Sequence, residues 1–328
     1  MPLAPLLDGA VIPAHPLALT AGRTLDERRQ RALTRYYLAS GVGGLAVGVH
    51  TTQFAIREAG LFRPVLELAA ETIAESGRDV VAVAGACGPV EQAVAEASLA
   101  ADLGYDAVLL SPVVPGADEE ALLARAKAVG EVLPVIGFYL QAAIGGPVLS
   151  RDFWRALADQ PSTAAIKVAP FDRYRTIEVA HGVAAADRRD EVALYTGNDD
   201  HIIGDLLATL PGGLRFRGGL LGQWAVWTRA AMAMFDQVRT EPTALVAKAQ
   251  ELTDANAAVF DAANGFAGCI AGVHEVLRRQ GLFDGIWCLD PDETLSPGQA
   301  AELSRVSAAY PWLTDDEFVA EHRDAWLS

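Results

Sequence analysis

Cysteine is scarce in this chain of 328 residues. The three present, Cys87, Cys269 and Cys288, are odd in number and share no metal-type spacing, which argues against both a disulfide framework and a zinc knuckle. The expected compartment is the cytoplasm. Positive charge is also in short supply: 26 Lys and Arg stand against 42 Asp and Glu, a formal net charge of -16. Such a field repels nucleic acid phosphates, and no basic cluster overrides it locally, so no nucleic acid partner is expected. An anionic substrate meets the same repulsion unless a pocket of backbone N–H groups or cations receives it. No apolar run approaches the ~18 residues of a membrane span, and "MPLAPLLDGAVIPAHP" has neither a charged leader nor a long apolar core, so a soluble protein with no membrane partner is expected. A glycine-rich phosphate turn is missing too. The stretch after the first candidate strand, "PAHPLALTAGRT", offers none, which disfavours an open doubly wound sheet.

What is present is a composition of 51% hydrophobic and 21% charged residues, ample for a packed core. Short β-branched runs alternate with longer amphipathic ones, the pattern of repeated strand–helix units with parallel strands. Eight strands are predicted: Val11 to Leu19, Leu45 to Val49, Val80 to Gly85, Ala107 to Leu110, Val135 to Tyr139, Ala164 to Val168, Ala193 to Thr196 and Leu214 to Leu221. Several helix starts are legible. Thr24 and Glu27 form the two ends of a capping box, Pro89 suits a first helical position, Ser150 suits an N-cap, and "SPGQ" (Ser296 to Gln299) and "TDDE" (Thr314 to Glu317) repeat the capping pattern. The count predicts a (β/α)8 TIM barrel over residues 1–223, with residues 224–328 as a helical region packed on it.

In "STAAIKVAPFD" a lysine, Lys167, interrupts an apolar run that reads as a buried strand. Near the carboxyl end of a barrel strand, a desolvated amine can add to a ketone and form a Schiff base. The other reading is an ammonium that snorkels to solvent from a strand end. Tyr139 ends the neighbouring predicted strand and would offer a proton donor and acceptor beside an imine, or else cap the core with its hydroxyl at the rim. Thr51 and Thr52 in "VGVHTTQF", with their backbone N–H groups, suit a small carboxylate nest, although loop threonines often serve only the local backbone.

Together these elements resemble the dihydrodipicolinate synthase / N-acetylneuraminate lyase family, class I aldolases that form an imine with pyruvate. The resemblance runs from about Pro13 to Gly222 and is carried by "YLASGVGGLAVGVHTTQF", "VVAVAGACGPVEQAVAEASLAADLGYDAVLLSPVVPG", "VIGFY", "AIKVAPFD" and "LYTGNDD". The 28 residues between Tyr139 and Lys167 match the family spacing. The resemblance implies Lys167 as the imine-forming lysine, Tyr139 as proton shuttle, and Thr51 and Thr52 as the grip on the keto acid's carboxylate. It also implies a backbone contact from Gly219 or Leu220, no cofactor beyond the covalent imine, and a homodimer or homotetramer.

Departures from the family pattern are equally specific. Its Gly-Thr-Thr-Gly-Glu reads His50-Thr51-Thr52-Gln53-Phe54, its paired tyrosines after strand four read Val113 and Val114, and the arginine expected in "LQAAIGGP" is missing. Without a guanidinium fork a carboxylated aldehyde loses its best anchor. Phe54, Val113, Val114 and Ile144 make the acceptor side more apolar, so the expected second substrate is a less acidic aldehyde, with His50 either a hydrogen-bond donor or proton carrier to it or a packed, hydrogen-bonded histidine at a strand end. Two other readings remain at this level. One is a metal-assisted barrel enzyme using Asp199, Asp200 or His201 of "GNDDH", although an acid pair opening a helix is also explained by the helix dipole. The other is a barrel that binds ligands without catalysis.

Overall fold

A computed structural model describes residues 3–328 of the chain. Among the described residues there are eight strands: β1 (Val11–Pro13), β2 (Gly44–Val47), β3 (Val81–Ala86), β4 (Ala107–Leu110), β5 (Val135–Leu140), β6 (Thr163–Ala169), β7 (Ala193–Thr196) and β8 (Phe216–Leu221). They belong to one sheet in the order β1-β8-β7-β6-β5-β4-β3-β2, and a parallel bridge from Ala14 to Ala46 joins the strands at its two ends. With helices alternating between the strands, the fold is a (β/α)8 barrel followed by further helices.

The chain divides into two compact units. One holds the residues up to Ala10 and Val81–Leu220; the other holds Val11–Val80 and Leu221–Ser328. In the first, β3 to β8 pair in parallel, with Val108 opposite Val135, Phe138 opposite Lys167, Lys167 opposite Tyr195, and Thr196 opposite Gly219. Nearly every residue of these strands is buried, as expected where both faces are covered. Gly182 sets the spacing of two outer helices, Arg151–Ala158 and Arg173–Ala184. A Cβ placed there would lie 2.6 Å from Arg151 O and 2.7 Å from Trp154 Cβ.

The second unit holds β1, β2, their flanking helices Glu27–Ser40 and Phe62–Ser76, and the helices Thr228–Thr240, Pro242–Val259, Cys269–Arg279, Gln299–Ala309 and Asp316–Trp326. Its interior is pinned by Asp315, which accepts from the Tyr36 hydroxyl at 2.7 Å, the Arg229 amide at 2.9 Å and Gln280 Nε2 at 2.8 Å. Among the described residues no helix is long and apolar enough to cross a membrane.

Several boundaries differ from expectation. The first strand stops at Pro13 rather than Leu19, since Pro13 and Pro16 lack the N–H groups a longer ladder needs. The second ends one residue before Gly48, whose φ of +74° turns the chain. The helix expected from Thr24 is instead capped by Asp26, which accepts from the Arg29 amide, while the Thr24 hydroxyl is paired with Thr20. Pro89 occupies the cap position itself, with the helix starting at Val90. Ser150 caps as predicted, accepting from the Phe153 amide at 3.1 Å. At "SPGQ" only half the box forms, Gln299 Oε1 accepting from the Ser296 amide, and at "TDDE" the cap is Asp315, whose side chain makes no capping bond to its own helix.

Candidate active site

Lys167 lies one turn of pleat from the carboxyl end of β6 and is 9% exposed. Burial draws its pKa down from the ordinary lysine value to about 8, against the opposing pull of the Asp199 carboxylate. Its ammonium sits 4.5 Å from the centroid of the Phe138 ring. From the other side the backbone after β7 closes in: a Cβ on Gly197 would lie 2.6 Å from Lys167 Cε and 2.7 Å from Ala169 Cβ. Only glycine leaves this lysine room to lie where it does.

Tyr139 is not part of this group. In β5 the partner of Lys167 is Phe138, whereas Tyr139 is opposite Val168. Successive strand residues point to opposite faces, so Tyr139 and Lys167 face away from each other. The tyrosine ring packs on Trp154 of the outer helix at 5.0 Å between centroids, and its hydroxyl is met by the backbone of Leu149. Gly137, two residues earlier on that face, likewise abuts Leu157 of the same helix. The expected proton shuttle beside the lysine is thus corrected: the side chain there is an unreactive phenyl ring.

The loops after β6 and β7 are held by a buried polar cluster. Asp205, 1% exposed, accepts from the Thr196 hydroxyl, from Asn198 Nδ2 at 2.9 Å and from the Arg173 guanidinium. Asn198 Oδ1 accepts from the Phe171 amide at 3.1 Å, tying one loop to the other. Phe171 has a φ of +52°, a strained conformation for a bulky residue that this bond helps to retain. Asp199 follows directly after this anchor. Among the described residues no group of three or more His, Cys, Asp or Glu side chains is placed to hold a metal ion, and "GNDDH" forms no such set. Gly219 donates its amide to Ala10 O at 3.3 Å, so that N–H is already used; Leu220 is fully buried.

In the other unit, His50, Thr51 and Thr52 form a 3-10 turn directly after β2. The Thr52 hydroxyl donates to His15 O at 2.6 Å and accepts from the amides of Gly48 at 3.0 Å and Val49 at 3.2 Å. That of Thr51 donates to Ala14 O at 2.8 Å. Each hydroxyl has one proton, and both are spent on the backbone of the segment after β1. The threonine hydroxyls therefore brace this turn. The His50 ring stands beside Phe54, 5.8 Å between centroids. Gln53 is marked by the sequence only as a departure from the family pattern. It takes a φ of +67° where the family pattern has glycine, its Oε1 accepts from the Leu289 amide at 2.6 Å, and its buried Nε2 has no acceptor.

No protein-family model matches the chain. It is 26% identical over 218 residues to the N-acetylneuraminate lyase of Citrobacter koseri, spanning 65% of this chain and 70% of that protein. The N-acetylneuraminate lyase of Salmonella paratyphi B is 25% identical over 204 residues, and the match spans 65% of its length, less than two thirds. Among solved structures, the chloride-inhibited dihydrodipicolinate synthase of Acinetobacter baumannii complexed with pyruvate superposes with a TM-score of 0.77 at 19% identity, covering 92% of this chain and 98% of that one. At that identity the superposition speaks to the fold. In sequence and in barrel architecture the chain is thus similar, at low identity, to the dihydrodipicolinate synthase / N-acetylneuraminate lyase family of class I aldolase-type enzymes.

Proposed function

We propose that the protein is a Schiff-base-forming lyase or aldolase acting on pyruvate or another 2-keto acid, with a second substrate less acidic than the usual one. The observation that carries this is the Lys167 amine: buried at a strand end and with its pKa lowered to about 8, it gives up its proton more readily than an ordinary lysine. Such an amine adds to C2 of a keto acid. Loss of water then gives an imine, whose nitrogen draws electrons from C3 as a carbon–carbon bond there is made or broken. The covalent imine is the only cofactor the reading requires.

The nature of the second substrate follows from what is missing around it. No arginine occurs in Leu140 to Pro147, and Phe138 presents a ring rather than a hydroxyl to Lys167. A neutral aldehyde suits these surroundings better than a carboxylated one. The substrate-binding roles that the resemblance implies for Thr51, Thr52 and His50 belong to the same reading. A homodimer or homotetramer, as in the resemblance, belongs to the same proposal.

Imine trapping tests it. The chain has only three lysines, Lys127, Lys167 and Lys248, so an adduct is readily assigned by peptide mass mapping. Cyanoborohydride with a panel of 2-keto acids is expected to leave a reduced adduct on Lys167 and none on Lys167→Ala. Absence of an adduct across the panel refutes the proposal.

A further inference from the structure

With Tyr139 turned to the outer helix, the imine chemistry lacks its expected proton carrier, and the structure points to a replacement. We propose that the Asp199 carboxylate accepts and returns the proton at C3 of the Lys167 imine; this rests on the Schiff-base reading above.

The argument begins with the groups on the strands flanking Lys167. From β5 the facing residue is Phe138, which has no proton to exchange. From β7 the residue in register is Tyr195, but its hydroxyl donates to Leu6 O at 2.9 Å, and burial raises its pKa far above the neutral range. Thr196 is turned to Asp205, itself neutralised by Arg173. The chain then passes directly over Lys167 at Gly197, whose missing side chain lets the backbone come within a Cβ's reach of Lys167 Cε. Asp199 lies two residues beyond that crossing, in a loop fixed by Asn198, and is half-buried. Its charge acts on the Lys167 amine, whereas Asp200 has Arg173, Asp205 and His201 as its charged neighbours.

The step balances without any outside oxidant or reductant. In the protonated imine the C3–H bond breaks, its proton passes to an Asp199 oxygen, its electron pair becomes the C2=C3 bond, and the C2=N pair moves onto nitrogen. The neutral enamine is then ready to attack an aldehyde; in the reverse direction Asp199 returns the proton to C3.

Pyruvate alone suffices as the probe. In D2O, proton transfer at C3 replaces the methyl hydrogens with deuterium, read as loss of the methyl signal by proton NMR, while cyanoborohydride trapping reports imine formation separately. Asp199→Asn is expected to trap at the wild-type rate or faster, because the lysine loses a neighbour that favours its charged form, yet to exchange at least about a hundredfold more slowly. Asp199→Glu is expected to recover part of the exchange, and Tyr139→Phe to exchange as the wild type does. Wild-type exchange in Asp199→Asn, or a hundredfold loss in Tyr139→Phe, overturns the assignment. So does an Asp199→Asn protein of unchanged melting temperature that loses trapping together with exchange, since the carboxylate then serves imine formation. Failure of the wild type to trap pyruvate or any keto acid overturns the Schiff-base reading itself.

Discussion

Lys167 owes its position to what its neighbours do not have. Gly197 lacks a Cβ, and adding one brings it 2.6 Å from Lys167 Cε and 2.7 Å from Ala169 Cβ, closer than carbon atoms approach. Gly197→Ala is therefore expected to displace the amine while leaving the backbone, whose φ suits any residue, in place. Misplacement on this scale costs reactivity more than stability, so trapping is expected to slow by on the order of tenfold or more with a melting temperature within a few degrees of wild type. Normal trapping in this variant would show that the lysine has free space elsewhere. Tyr139 misleads for another reason: a spacing of 28 residues measured through a loop does not determine side-chain parity, and a shift of one residue exchanges the two faces of a strand.

At the level of elements, the strands that hold the site are supported by helices whose starts are individually defined. Ser150 is a clear case, its Oγ accepting from the Phe153 amide at 3.1 Å and donating to Glu119 Oε2 at 2.6 Å, so one side chain caps the helix Arg151–Ala158 and ties it to the helix before it. Loss of such a cap costs about 1 kcal/mol. Ser150→Ala is expected to lower the unfolding free energy by that amount in urea titrations without changing pyruvate trapping, since the helix touches the outer face of β5. A change in trapping would mean that this helix sets the geometry of the inner face. Capping chemistry was legible at Ser150 because the signal is local; at Thr24 the capping-box expectation fails, and Asp26, two residues later, caps the helix instead.

For the whole molecule the two fully buried histidines are decisive at acid pH. His15 is hydrogen-bonded to Thr34 at 2.9 Å and to Pro16 O at 2.8 Å, and His274 lies against Phe283. Burial drives both down from the ordinary histidine value to about 4. The unfolded chain takes up protons at these sites from about pH 6.5 downward while the folded protein does not. Stability therefore falls as the pH drops from about 6.5 to about 4, by about 2 kcal/mol per histidine at pH 5, and levels off below. Denaturant titrations at pH 7 and pH 5 should show that fall, and His274→Gln should remove roughly half of it. A flat profile across this window would mean that water reaches both rings in the folded state.

Composition and periodicity alone determined the class of the fold: eight short apolar runs separated by amphipathic ones leave few solutions other than a (β/α)8 barrel, because strands covered on both faces must be apolar throughout. The position of Lys167 near a strand end was determined at the same level, since an ammonium within such a run is conspicuous wherever it falls. Which residue stands opposite it was decided only by tertiary structure. Register between β5 and β6 is set by packing across the whole sheet, and it brings Phe138 to the lysine and sends Tyr139 to Trp154. The commitment of the Thr51 and Thr52 hydroxyls to carbonyls 36 to 37 residues away belongs to the same category, as does the passage of the Gly197 to Asp199 backbone over Lys167. Such relations join residues that are distant along the chain, and no local pattern records them.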